Sequence, residues 1–358
     1  MNEQLIQSWV PLEAKLEAVL TRIAQTAETT DRLGVPRSHI DSLAAVGAHG
    51  LVQDPQKHRE LTERLAGADA STWFCWTQHQ TPLRTMRSGG NQPAAQELSD
   101  RWLKGLERGD LLAAIAFAHV RRGGPANPVA HQVDGGWELT GKLDWVTSWD
   151  IADVLMLIAA TEDKSKFVVC YLPVADFENI FENAVVAAPL DLLAMSGTHS
   201  RPIEFDHTFI SGEFVFGVID AHEWLEADAL KTVLPNSAAL GVARAAIEEL
   251  NRVLINRKQA KSEELANELA RKFEDLRARS YRGIDNPDSS RGDLVALRVE
   301  ILAFVLTCTV AVVTATSGSA MVRGNSAERR VREALFLHVQ AQTQETRDAM
   351  LARSICEV

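Results

Sequence analysis

Apolar positions along this chain fall into three regimes. Up to about residue 109 they recur at helical spacing, and Leu16, Val19, Leu20 and Ile23 share one face of a predicted helix. Gly34-Val35-Pro36 breaks that pattern. A second helix runs into AAVGAHGL, where Gly47 and Gly50 supply stops. GADASTWFCWTQHQTP opens another, with Asp69 or Ser71 as its cap and Pro82 tolerated inside it. From 110 to about 217 the apolar runs shorten to LLAAIAF, GWELTGKLDWV, DVLMLIAAT, FVVCYLP and RPIEFDHTFI. Turn signals separate them, such as VDGG at 133–136 and EDKSK at 162–166. Trp137 with Leu139, and Ile203 with Phe205, alternate as half-buried strands do. From Ala221 onward helical spacing returns in four long candidates: LKTVLPNSAALGVARAAIEELNRVLINRK, SEELANELARKFEDLRARSYR, LVALRVEILAFVLTCTVAVVTA and SAERRVREALFLHVQAQTQETRDAMLARS.

Helices, then strands, then helices argue against an alternating α/β fold. The expectation is an α+β protein: an N-terminal helical domain over 1–109, a middle antiparallel β-barrel-like domain over 110–217, and a C-terminal four-helix bundle over 218–358.

Charge and cysteine usage narrow the function. A net charge of −11 gives a nucleic-acid partner no electrostatic support. Cys75, Cys170, Cys308 and Cys356 lie far apart with no CxxC pair, so they read as reduced thiols of a cytoplasmic protein and not as a metal site. The opening MNEQLIQSWVPLEAKLEAVL has no basic stretch before an apolar run and does not read as a signal peptide. Residues 301–321 carry no charge, but the strongly apolar part, ILAFVLTCTVAVV, is shorter than the ~20 residues of a membrane span. A buried bundle helix is the expectation, and no membrane association.

The stretch LTGKLDWVTSWDIADVLMLIA at 139–159 resembles a signature of the acyl-CoA dehydrogenase superfamily. GTHSRPIEFDHTFIS at 197–211, LGVARAAIEELNRVLINR at 240–257 and ERRVREA at 328–334 resemble further segments of it. That superfamily has the domain order just read, with a flavin held between the middle domain and the bundle. The resemblance implies a flavin-dependent oxidoreductase with FAD, or FMN, as cofactor, and a homo-oligomer (dimer or tetramer). It places Trp145, Val146, Thr147 and Ser148 against the flavin ring, where an indole gives stacking surface and a hydroxyl can bond the ring edge. It also places Arg257 where an arginine reaches a neighbouring subunit's flavin diphosphate.

Dehydrogenation of an acyl-CoA needs a carboxylate base, and counting along the family pattern puts the two usual positions on Gly324 and Lys231. The resemblance therefore points to the superfamily's other branch: two-component monooxygenases that take reduced flavin from a separate reductase and hydroxylate small aromatic or heteroaromatic compounds. Such chemistry needs a dry pocket and a hydrogen-bond donor beside the flavin. His79, Ser148 and His338 are the candidate catalytic residues, with His338 pointing partly inward and Arg329, Arg330 and Arg332 left wet. The alternatives are an atypical dehydrogenase or oxidase with another base, and a flavin-free relative that serves as a binding protein.

Overall fold

The computed structural model describes residues 5–257 and 260–356. Five helices come first: α1 (Ala14–Leu33), α2 (Arg37–Ala45), α3 (Pro55–Ala68), α4 (Ala70–Ser88) and α5 (Ala95–Arg108). Leu16, Val19, Leu20 and Ile23 are all buried, as their spacing requires. Gly47 closes α2 in the left-handed region, at φ 78°. Asp69, not Ser71, caps α4: its carboxylate accepts from Ser71 N at 3.0 Å and from Thr72 Oγ1 at 2.6 Å.

An eight-stranded sheet follows, made of β1 (Ala113–Ala116), β2 (Val129–Val133), β3 (Gly136–Val146), β4 (Val154–Thr161), β5 (Lys166–Pro173), β6 (Ala184–Val186), β7 (Arg201–Ser211) and β8 (Val215–Asp220). One helical turn, α6 (Phe177–Ile180), interrupts them. The order is β6-β7-β3-β2-β4-β5-β8, with β1 also on β4. The sheet is mixed rather than wholly antiparallel. β1 and β2 both run parallel to β4, in register Ala113 with Val154 and Val129 with Ala160. β4 explains why its sequence does not alternate. Leu155, Leu157 and Ala159 face one core, while Val154, Met156 and Ile158 face another that includes Leu83, Leu98 and Trp102 of α4 and α5. A strand covered on both faces needs apolar residues at every position.

The C-terminal region holds α7 (Ala221–Thr232), α8 (Ser237–Asn256), α9 (Ala260–Asp285), α10 (Arg291–Thr316), α11 (Ser326–Val339) and α12 (Gln344–Cys356). Two of the four long helices expected here are broken. Pro235 cannot continue α7, and Asn236 starts α8 by accepting from Ala238 N at 3.0 Å. Gln340 leaves the helical conformation and Ala341 takes φ 51°, so α11 and α12 are separate. By length and hydropathy α10 could cross a membrane. In this fold Ile301, Leu302, Val305 and Val312 are its buried face, the place expected of a bundle helix. One continuous core joins the first and last regions, running from Ile6, Leu20 and Leu65 to Leu240, Phe273, Val305 and Leu337. The sheet is thus inserted between two halves of a single helical body.

Candidate functional site

β3 ends where the strongest sequence signature lies. Val146 is fully buried in the sheet core. A register shift between Leu143 and Val146, which both face that core, leaves Trp145 turned away from it. Trp145 is 47% exposed, an unusual state for an indole, whereas Thr147, two residues on, is 6% exposed. Ser148 then turns the chain through the left-handed region at φ 68°. Its N–H donates to Thr198 O at 2.8 Å, and Trp149 N donates to His199 O at 3.1 Å.

The segment 197–200 is the second half of this site. Gly197 must be glycine, because a Cβ there would sit 2.4 Å from Thr30 O. That close approach presses the segment onto the end of α1. Thr198, Ser200 and Thr147 then form a buried row of hydroxyls: Thr147 Oγ1 lies 3.3 Å from Ser200 Oγ, which lies 2.9 Å from Thr198 Oγ1. The stretch GTHSRP was legible as a signature, but its role as a hydroxyl row was not, because the row exists only once β7 is beside β3.

The turn's carboxylates are all engaged. Asp144 pairs with Arg122, Asp150 accepts from Arg201 Nε at 2.6 Å, and Asp153 accepts from Arg37 Nη1 at 2.9 Å. Arg37 also donates to Ile151 O at 2.8 Å, which fixes α2 to the turn. The basic loop after β1 is likewise neutralised: Arg121 grips Asp228 with two bonds of 2.6 and 2.8 Å. His119 donates Nε2–H to Ile158 O at 2.7 Å, and burial pulls its pKa down to about 4.

The candidate catalytic residues do not converge. His79 is completely buried between α4, α5 and β1. Its Nε2–H donates to Leu106 O at 3.0 Å and its Nδ1 accepts from Ala113 N at 3.0 Å. Burial lowers its pKa to about 3. Both nitrogens are spent, so His79 is a neutral structural bridge and not an acid or base. Ser148 is also fully buried, and its hydroxyl stands beside the Cys75 thiol of α4 without a hydrogen bond of its own. It faces into the protein rather than out beside Trp145. Burial drives the Cys75 pKa to about 12, so that thiol is inert.

His338 is half-buried on α11, donating Nδ1–H to Ala334 O at 2.8 Å, with Nε2 left as an acceptor. The flanking Leu335 and Val339 are exposed, so the apolar residues beside this histidine face out. Of the arginines expected to stay wet, Arg329 and Arg330 are buried and Arg332 is partly so. Arg329 pairs with Glu333, Arg330 with Glu249 at 2.8 Å and Gly67 O at 2.9 Å, and Arg332 with Asp31 at 2.6 Å. Arg257 is exposed at the end of α8 and donates to Thr316 O at 3.2 Å. Gly324 lies in an exposed turn, its N–H on Glu328 at 3.0 Å, and Lys231 is exposed on α7. Of the residues expected to act, only Trp145, Val146, Thr147 and Ser148 share one place. Two surface grooves lie elsewhere, one of about 760 Å³ beside Trp137, His131 and Lys166, the other of about 330 Å³ between α9 and α10.

No family model matches the chain. Benzylmalonyl-CoA dehydrogenase of Aromatoleum aromaticum is 25% identical over 262 residues, covering 66% of this chain and 65% of that protein, just under two thirds of its length. Among solved structures, a glutaryl-CoA dehydrogenase from Mycobacterium smegmatis in complex with FADH2 superposes with TM-score 0.74 at 14% identity, covering 97% of this chain and 96% of that one. Butyryl-CoA dehydrogenase from Megasphaera elsdenii gives 0.72 at 14% identity, over 97% and 99%. KijD3, in complex with FMN and a dTDP-sugar, gives 0.71 at 17% identity, over 99% and 97%.

Proposed function

We propose that this chain, whose fold is that of the acyl-CoA dehydrogenases, works on that scaffold as a flavin-dependent oxidoreductase. The observation that carries the reading is the half-exposed Trp145 two residues before the Thr147 hydroxyl, on a turn whose carboxylates are all paired. These residues fit a planar aromatic group with a polar edge: an exposed indole to stack on, and the Thr147 hydroxyl with bonding capacity to spare. A bound FAD, or FMN, would supply the redox centre. Trp145 would hold its ring, Thr147 would bond its edge, and the buried Val146 would keep the strand end rigid.

The finer reading is a two-component monooxygenase, fed reduced flavin by a separate reductase and hydroxylating a small aromatic or heteroaromatic substrate. The carboxylates of the turn support it. Asp144, Asp150 and Asp153 are each tied to an arginine, so none is free to take a substrate proton. The relative that acts on benzylmalonyl-CoA favours a second reading, an acyl-CoA dehydrogenase with its base elsewhere. For assembly we propose a second copy of the chain on the uncharged outer face of α10, where Thr307, Val310 and Thr314 are exposed.

Fluorescence titration with FAD and FMN, oxidised and reduced, tests the cofactor. Trp145→Ala should weaken binding by about tenfold, the worth of one aromatic stack. Failure of the wild type to bind either flavin in either state would end the enzyme reading. Anaerobic mixing of the flavin-loaded protein with acyl-CoAs separates the two chemistries: bleaching favours the dehydrogenase, whereas product hydroxylation with reduced flavin and oxygen favours the monooxygenase.

A further inference from the structure

Asp69, the cap of α4, is a buried carboxylate that forms no ion pair among the described residues. Its side chain is fully buried and accepts from Ser71 N at 3.0 Å and Thr72 Oγ1 at 2.6 Å. The cation acting on it is Arg329 of α11, which is already paired with Glu333 and lies 3.4 Å from Glu28 of α1. Arg330 beside it is taken by Glu249 of α8. Burial outweighs the donors and the helix N-terminus, so the Asp69 carboxyl is held above its ordinary 3.8. A chain of polar atoms joins this carboxylate to the surface. Thr72 Oγ1 lies 2.9 Å from His39 Nδ1 of α2, and His39 Nε2 lies 3.2 Å from the exposed Thr26 hydroxyl of α1. His39 is half-buried, which lowers its pKa from 6.5 and keeps the ring neutral near pH 7. With Asp69 ionised, Thr72 donates to it, His39 Nδ1–H donates to Thr72, and Nε2 holds the free lone pair on the outer side.

We propose that Asp69 stores a proton and exchanges it with solvent through Thr72 and His39. Uptake starts when a proton adds to His39 Nε2. The Nδ1–H bond breaks as Thr72 Oγ1 takes that proton, and Thr72 passes its own to Asp69 Oδ2. His39 ends neutral with its hydrogen on Nε2, so one proton has crossed and Asp69 alone has changed charge. The store lies under the candidate site. Its neighbour Ser71 would stand 3.5 Å from a Cβ on Gly197, and Cys75 Sγ of the same helix lies 3.9 Å from Thr198 O. A proton held there offsets a change of charge in the site above it, and no flavin is needed for the exchange itself.

Infrared spectroscopy of the protein as purified, without ligand, tests both the store and the path. Asp69→Asn keeps the helix cap while removing the titrating group. At about pH 6 the spectrum of wild type minus Asp69→Asn should show a protonated carboxyl. On transfer to heavy water that band shifts as its proton exchanges. Thr72→Val keeps the side-chain shape and should slow the shift by about a hundredfold, the worth of a positioned proton-transfer group, and His39→Phe should slow it likewise. Thr72→Ser keeps the hydroxyl and should exchange as wild type does. Loosened packing would speed exchange by opening the site, so slowing separates a relay from a structural role. Urea unfolding gives an independent reading. A raised folded pKa means that the folded chain binds this proton more tightly, so the contribution is complete below about pH 3.8 and is lost as pH rises. Asp69→Asn should therefore gain on wild type as pH climbs from about 4 to about 7. No carboxyl difference in the spectrum, or a stability gap that is flat or runs the other way, overturns the store. Exchange in Thr72→Val and His39→Phe as fast as in wild type overturns the path.

Discussion

Helices α3 and α8 touch through two glycines, and Gly241→Ala is a sharp test of that contact. A Cβ on Gly241 would stand 2.1 Å from Glu63 O, 2.7 Å from Glu63 C and 2.8 Å from Glu63 Cα. Gly67 makes the reciprocal approach, 2.7 Å from Gly241 O. All the atoms met by the Gly241 Cβ are backbone, so no side chain can swing away. To restore ordinary contact the helices must part by roughly 1 Å, enough to loosen every interaction between them. The bonds at stake include Arg244 to Glu60 at 3.1 Å across the α3–α8 contact, and Arg330 of α11 to Gly67 O at 2.9 Å. Overpacking of this kind costs about 1–3 kcal/mol, and loosened buried ion pairs add to it. Against it stands the better helix propensity of alanine, at most about 1 kcal/mol. The net expectation is a loss of about 2 kcal/mol in urea unfolding. Gly292→Ala is the control. That glycine is also helical, but its added Cβ meets nothing nearer than Ser290 Oγ at 4.0 Å, so it should be neutral or stabilising. If Gly241→Ala matched Gly292→Ala in sign, the close approach would be refuted.

Two further substitutions probe buried charge. Arg277 bonds both Glu60 and Glu63, and all three are buried, so Arg277→Met should cost about 3–5 kcal/mol in urea unfolding by leaving two carboxylates short of a partner; a loss below about 1 kcal/mol would show that water reaches them. The pKa of His79 is lowered from 6.5 to about 3, so the unfolded chain takes up that proton first as pH falls. Its contribution is complete above about pH 6.5 and is lost toward pH 3, at up to about 1.4 kcal/mol per pH unit. His79→Gln should remove this part of the slope, so the stability gap between wild type and variant should narrow from pH 7 to pH 5. A gap independent of pH would mean that the ring is not held neutral.

The sequence was informative where one element's own pattern decides the structure. The α1 stripe, the cap at Asp69 and β3 were legible because each depends on residues close in the chain. The breaks at Pro235 and Ala341 were missed because the apolar pattern of α8 and α11 continues across them, while backbone geometry does not. The site followed the same rule. Trp145, Val146 and Thr147 stand together because they are consecutive on one strand. The hydroxyl partners of Thr147, Ser200 and Thr198, come from the segment just before β7, fifty residues on, and needed the β3–β7 pairing to be seen. His79 illustrates the opposite error. A histidine in a plausible segment reads as chemistry until its neighbours show both nitrogens already bonded to backbone. The arginines of α11 read as solvated because their partners on α1, α3 and α8 are remote in sequence.

The core shared by the first and last regions constrains how this chain can be made. Leu61 and Leu65 of α3 need Val242 and Leu337 in the same core, and those residues are synthesised much later. At translation rates of about 5–20 residues per second, the first helices wait roughly 15–50 s for α11 to appear. The sheet's partners all lie within 113–220, so it can close in the meantime. Until then the apolar faces of α1 and α3 are exposed on the ribosome, and that interval is when the nascent chain most needs a chaperone.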